Sequence, residues 1–389
     1  MSISNAIYNL FWHPLSQFPG PRSFAISRLP YAYCHITGKL AVTFHALHRE
    51  YGPVVRTAPN ELSFIEPEAL RTIYVERKKT CPVFRKNYDT FNETRNQIAH
   101  SVFIAGDDDH ARMRKIINHA FSERALRDQE PRIQDHVQTL IQELDIERSK
   151  NGIVDLNEWY NYAAFDIIAD AAFGEPFNTL QESTYRSWLH LIGMTWKAIT
   201  FASALKSIAS PLYILRRLLP TRRMLQKEVD KFNLILDRVR ERMVLGSSRI
   251  DLLSLVIQHN NDDTKEYMTE QEIISNATLF VAAGTETVTT LLSALTYLLT
   301  QNERVRKRLT GEIRARFASE SLITVQSVSQ LQYLTACIQE ALRLFPPIPE
   351  GLPRVVPPEG EKVCGRWIPG GVCIASCPSL RLPLLLLFD

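Results

Sequence analysis

Apolar side chains recur at three- to four-residue spacing over most of this chain, and proline- or glycine-rich runs interrupt the rhythm. That period predicts helices at Ala41–Tyr51, Pro67–Tyr74, Leu156–Phe173, Gln181–Ser207, Pro220–Leu245 and Asp251–His259. A further helical stretch runs from about Asp109 to Lys150, with breaks expected near Ser122 and Pro131. Val54-Val55-Arg56 and Leu62-Ser63-Phe64-Ile65 flank Ala58-Pro59-Asn60-Glu61 and predict a small β-hairpin. Pro14, Pro19, Gly20 and Pro21 favour an extended, turn-rich linker. Thr269 and Glu272 have the spacing of a capping box, in which each side chain accepts from the other residue's backbone N–H. They open a helix predicted over residues 270–300, apolar on nearly all sides through Ala277–Leu299 and so expected to be central and buried. Ser327-Val328-Ser329-Gln330 is placed to cap the next helix, which ends near Phe345, and strand-like sequence follows. The sum is mainly α with a minor β part, and no linker stands out after residue 30.

Composition narrows the function only by exclusion. The 389 residues are 45% hydrophobic and 22% charged, enough for a large core. A net charge of +3, without basic blocks interleaved with aromatics, argues against nucleic acid as a partner. The six cysteines (Cys34, Cys81, Cys337, Cys364, Cys373, Cys377) are scattered, which points to a reducing compartment and not to a disulfide framework. No matching Cys/His pair accompanies the last three at zinc-site spacing, so no metal site is predicted from them. No stretch reaches the roughly 18 apolar residues of a membrane span. Ile3–Trp12 reads either as a segment lying at a membrane surface, or the tail of an anchor, or as an ordinary hydrophobic arm.

The candidate chemistry sits in the long helix and the one that ends near Phe345. Gly284 interrupts a helical run at about 1 kcal/mol relative to alanine, which asks for either close packing or the approach of a ligand to the backbone. Thr285 and Thr287 can hydrogen-bond back to carbonyls and bend the helix. Glu286 is a carboxylate in an apolar helix, unfavourable unless paired or hydrated. On these four residues alone, packing is favoured over catalysis. Glu340 and Arg343 share one helix face and suit either a surface ion pair or a buried one that fixes local geometry.

Together these residues resemble a cytochrome P-450 of the fungal, microsomal type. Ala283-Gly284-Thr285-Glu286-Thr287 is similar to that family's oxygen-binding helix, and Glu340 and Arg343 match its Glu-x-x-Arg motif. Pro353-Arg354 with Ile368-Pro369-Gly370-Gly371 resembles the strand region that follows. Asp109-His110 through Lys115, then Ala120-Phe121-Ser122, is similar to the C-helix, with His110 where a tryptophan often stands. Tyr8 to Pro14 and Phe18 to Pro21 resemble the segment after the membrane anchor, so the likeness runs from about residue 7 to about residue 378. It implies a P-450-like fold, haem as cofactor, and O2-dependent oxidation of a lipophilic small molecule in secondary metabolism, a terpenoid or polyketide among the options. Electrons would come from an NADPH-dependent reductase, at the cytosolic face of the endoplasmic reticulum membrane or, without an anchor, in the cytoplasm. Glu286 and Thr287 would deliver protons to dioxygen at the haem. Ala283 and Gly284 would let the haem face approach, and His110, Arg114 and Arg354 would meet its propionates. Glu340 and Arg343 would brace the core. Phe91–Phe103, Met194–Ala204 and Ile348–Leu352 would line the substrate pocket.

The likeness fails near the end of the sequence. The family's iron is held by a cysteine thiolate in a glycine-rich loop, and no such loop follows Cys377-Pro378. Cys373 and Cys377 fall in an expected strand, where apolar burial would raise their thiol pKa values and leave them inert. The expected organisation is an arm and proline-rich linker at 1–30, an incomplete P-450-like domain at 31–378, and an apolar tail at 379–389 that departs from the family. The alternative reading of function is therefore an inactive remnant without the axial cysteine.

Overall fold

The computed structural model describes residues 3–75, 84–87, 100–186, 252–260 and 267–377, with isolated positions between 189 and 240. The helix predicted at Pro220–Leu245, most of Gln181–Ser207 and the apolar tail lie outside the described residues. The chain forms two compact units, one from residues on either side of the other in sequence: 3–75 and 84–87 with 348–377, and 100–186 with 252–260 and 267–347.

The first unit holds the sheet. Its elements are α1 (Ile3–Phe11), α2 (Arg22–Ile26), α3 (Leu29–Ile36), α4 (Leu40–Tyr51), β1 (Val54–Ala58), β2 (Glu61–Phe64), α5 (Pro67–Tyr74), β3 (Arg85–Lys86), β4 (Arg354–Val355), β5 (Glu361–Val363), β6 (Arg366–Ile368) and β7 (Cys373–Ser376). The predicted hairpin is β1–β2, antiparallel, with Val54 opposite Phe64. β2 also pairs in parallel with β7, from Glu61 opposite Cys373 to Phe64 opposite Ser376. The five-stranded order is β1-β2-β7-β4-β3, and β5–β6 forms a separate hairpin. Leu62, Phe64, Val356 and Ile374 are buried in its core. Arg56 is also fully buried, and its guanidinium donates to the carbonyls of Asn9 at 2.8 Å and Pro59 at 2.6 Å, which offsets its desolvation. The N-terminal arm is helix α1, none of whose residues is buried.

The second unit is helical: α6 (Asp107–Ala120), α7 (Glu123–Asn151), α8 (Leu156–Phe173), α9 (Leu252–Asn260), α10 (Glu270–Gln301), α11 (Glu303–Arg316), α12 (Val325–Val328) and α13 (Gln332–Leu344). The break expected near Ser122 is real, because its hydroxyl accepts from the Ala125 N–H and starts α7. The break expected at Pro131 is absent, and α7 runs through it. An interior proline costs about 3 kcal/mol, and the packing of α7 along α8 outweighs that. The predicted cap at Ser327 is also corrected. Ser327 belongs to α12, where it and Thr324 cap each other, while α13 starts at Gln332, and Leu331 before it offers no side-chain cap. Helix α11, which the sequence reading passes over, fills the span after α10 and buries Val305 and Leu309 against Cys337.

Helix α10 packs along α8 and against α13. It is buried at Ile273, Ile274, Ala277, Val281, Thr285 and Thr289, but half-buried or exposed from Leu291 onward, so the expected burial holds only for its first part. By length and composition alone it could cross a membrane, a test that the core helix of a soluble protein also passes.

Candidate active site

The first turn of α10 is fixed before its chemistry begins. The capping box is complete: Thr269 N–H donates to Glu272 at 2.8 Å, and Thr269 Oγ1 accepts from the Glu272 N–H at 3.3 Å. Glu272 also receives a fork from Arg112 of α6, with bonds of 2.6 and 3.2 Å. Arg112 adds bonds to Asp109 and to the Tyr267 carbonyl. Burial opposes the charge of Glu272, but the Arg112 and Thr269 hydrogen bonds hold its carboxyl below the usual range. The hydrogen bonds that Arg112 donates to Glu272 and then to Asp109 raise its guanidinium further. Arg112 is the residue sequence reasoning missed; its only signal was its place between the two family-like positions His110 and Arg114.

Three turns along lies Ala283–Thr287. Helix α10 runs unbroken through it. A Cβ on Gly284 would meet Cγ1 of Ile168, on α8, at 2.8 Å, so close packing accounts for the glycine. Thr285 Oγ1 donates to the Val281 carbonyl at 2.7 Å and Thr287 Oγ1 to the Ala283 carbonyl at 2.6 Å. These back-bonds satisfy both hydroxyls within the helix. Ala283 is exposed, and the half-buried Glu286 carboxylate has no hydrogen-bond or ion-pair partner among the described residues. An unpartnered acid beside a small exposed residue on a rigid helix is able to hold or pass a proton.

The other candidates divide between the units. His110 and Arg114 lie one turn apart on α6, His110 half-buried and Arg114 exposed. Arg354 is on β4 in the first unit, its guanidinium 5.7 Å from the centre of the Tyr74 ring. Glu340 and Arg343 form a two-bond fork on α13, Nε to Oε2 and Nη2 to Oε1, both 2.7 Å. Glu340 is only 5% exposed, so this is the buried version of the pair.

Of the expected pocket segments, residues 91–99 and much of Met194–Ala204 lie outside the described residues. Ile348–Leu352 is described, and it carries Glu350. Burial and the neighbouring Glu61 push the Glu350 carboxyl up to about 7. His35 Nε2 lies 3.6 Å away, and its pKa is lowered by burial and by Arg28.

The cysteines occupy settled positions. Cys373 is buried in β7 and accepts from Asn87 Nδ2 at 3.4 Å; burial and Glu61 push its thiol up to about 12. Cys377 donates its thiol proton to the Pro349 carbonyl at 2.8 Å. Burial, with Glu66 beside it, lifts the Cys364 thiol to about 12, and burial raises Cys337 as well. Among the described residues no group of three His, Cys, Asp or Glu side chains is placed to hold a metal ion.

A mainly helical chain with a small sheet, an apolar helix bearing Ala283–Thr287 and a buried Glu340–Arg343 fork is matched over residues 19–379 by the family model described as Cytochrome P450, and the chain belongs to that family. Its relatives are fungal. It is 40% identical over 375 residues to the cytochrome P450 monooxygenase atr2 of Stereocaulon alpinum, covering 96% of this chain and 73% of the relative. It is 40% identical over 370 residues to the cytochrome P450 monooxygenase astJ of Aspergillus oryzae, covering 95% and 73%. It is 37% identical over 374 residues to averantin hydroxylase of Dothistroma septosporum, covering 96% and 69%.

Membership implies haem as cofactor. The residues present fit that group on one side only. Helix α10 offers a small exposed residue and an unpartnered acid, as a wall facing the group requires. The iron of this family needs a thiolate, and Cys337, Cys364, Cys373 and Cys377 do not offer one. Cys337, Cys364 and Cys373 are held protonated, and Cys377 is engaged with a carbonyl. The sequence contains no cysteine after Cys377.

Proposed function

We propose that these residues form the proton-handling wall of a monooxygenase that oxidises a lipophilic small molecule in fungal secondary metabolism, supplied with electrons by an NADPH-dependent reductase. The observation that carries this reading is the half-buried Glu286 carboxylate, which has no hydrogen-bond or ion-pair partner among the described residues. In this reading Glu286 holds the proton and Thr287 Oγ1 passes it on after leaving the Ala283 carbonyl. Ala283 keeps the helix slim where the cofactor approaches, and Gly284 seats that turn against Ile168 of α8. His110, Arg114 and Arg354 are the candidates for its propionates. Glu340 and Arg343 keep α13 in place and touch no substrate. Contact with a membrane surface is supported by α1 and the residue after it, with Ile3, Phe11 and Trp12 81%, 68% and 69% exposed.

The cysteine environments favour a second reading for residues 1–389 taken alone: they do not hold haem by a thiolate. The reduced, carbon monoxide-treated absorption spectrum of the purified chain separates the two. A thiolate-type Soret band would establish the active enzyme. Absence of haem, or a band of the nitrogen-ligand type, would leave the 389 residues as a fold without its iron ligand.

A further inference from the structure

We propose that a buried water molecule bridges Asn161 of α8 and Thr289 of α10 and fixes α10 just beyond Glu286. Two observations meet at this place. The first is register. Asn157 Oδ1 accepts from Ser293 Oγ at 3.0 Å, and Ile168 fills the space at Gly284. The two helices therefore run antiparallel, residue 157 against 293 and 168 against 284. Asn161 lies one turn on from the first contact, and Thr289 one turn back from it, so the two face each other at one level of the interface.

The second observation is unmet hydrogen bonding. Asn161 Oδ1 and Thr289 Oγ1 are both buried, and neither has a partner. Among the described residues Thr289 is also the one threonine of α10 whose hydroxyl has no partner, since Thr296 pairs with the Tyr160 hydroxyl and Thr300 donates to the Tyr297 carbonyl. Thr278, Thr285, Thr287 and Thr290 each donate to the carbonyl four residues earlier, and Thr289 does not. Two orphaned polar atoms at one level are what an internal water satisfies: it donates to the amide oxygen and accepts from the hydroxyl. No single residue reveals this site; it appears only when the two helices are set in register.

With the Ile168–Gly284 contact on one side and the water on the other, the turn carrying Glu286 and Thr287 is pinned from both directions. The water site stands on packing alone, while its value to Glu286 rests on the function proposed above.

The test is a crystal structure showing ordered water together with a double-variant cycle on the full chain. Thr289→Val and Asn161→Leu each lower the unfolding midpoint by orphaning the other partner. The double variant loses less than the sum, with a coupling of about tenfold in the folding equilibrium. Thr289→Ser keeps the hydroxyl and stays near the parent protein. Additive losses, density without a water between the two side chains, or a direct bond between them would overturn the proposal. If the single variants fail to fold, the Ser variant and the density still decide. None of these readouts depends on haem or turnover, so the water site and the function can fail separately.

Discussion

At Gly284 two small effects oppose each other. Alanine would gain the helix about 1 kcal/mol in propensity, but its Cβ would press on Ile168, whose branched Cβ is itself 3.3 Å from that point and has little freedom to yield. Gly284→Ala is therefore expected to destabilise the protein by about 1–3 kcal/mol, read as a lower thermal midpoint, and Ile168→Ala in the same chain should recover part of the loss. The threonine back-bonds around Gly284 were legible in the sequence because both partners lie within one turn. Ile168 was not, because it belongs to another helix. Glu350 gives a second residue-scale prediction. Its folded pKa, about 7, stands above the ordinary 4.5, so the folded chain keeps a proton that the unfolded chain releases. Its contribution is fully present below about 4.5 and is lost as pH rises through about 7. Glu61, His35, Tyr31 and Arg28 are the titratable and charged groups of this cluster. Glu350→Gln mimics the protonated acid. Its unfolding midpoint should gain on the parent protein over that rise, and a constant difference across the range would refute the assignment.

The capping box of α10 could be read from Thr269 and Glu272 because a cap is local chemistry. The Arg112 fork that makes Glu272 a joint between α6 and α10 spans 160 residues of sequence and could not be. Glu272→Ala removes half of the capping box and the Arg112 fork, leaving Arg112 its bonds to Asp109 and the Tyr267 carbonyl, an expected loss of about 1–3 kcal/mol at neutral pH by chemical denaturation. The carboxyl is held low in the folded chain, so this stabilisation is present above the ordinary carboxylate value and fades as pH falls through the lowered one. On α13 the Glu340–Arg343 fork makes a larger claim. Arg343→Ala strands a carboxylate that is 5% exposed and should cost about 3–5 kcal/mol, whereas a surface pair would cost under about 1. Helix α11 escaped the sequence reading although Val305, Leu309 and Ile313 carry the period, because its exposed charged residues dilute the apolar signal. Pro131 misled in the opposite direction, since a local penalty was taken as decisive where packing along α8 prevailed.

For the molecule as a whole, the N-terminal arm has a testable partner. Ile3, Ile7 and Phe11 share one face of α1, with Tyr8 and Trp12 beside it, and all are exposed. Such a face favours a lipid surface. Phe11→Ser with Trp12→Ser should weaken sedimentation with phospholipid vesicles by at least about tenfold, and unchanged binding would make the arm an ordinary hydrophobic end. The chain also returns on itself to finish its sheet: β7 lies beside β2, and Asn60 Nδ2 donates to the Gly371 carbonyl across 311 positions. By itself the sequence determined what neighbours within a few turns decide: the helix periods, the caps, the β1–β2 hairpin, and the motifs that resemble the cytochrome P450 family. Only the tertiary structure decided that β2 pairs with β7, that Ile168 explains Gly284, and that Arg112 holds Glu272. The physical reason is range. Hydrogen bonding and propensity within a segment are written in adjacent residues, whereas burial and pairing between distant segments exist only once the chain has brought them together.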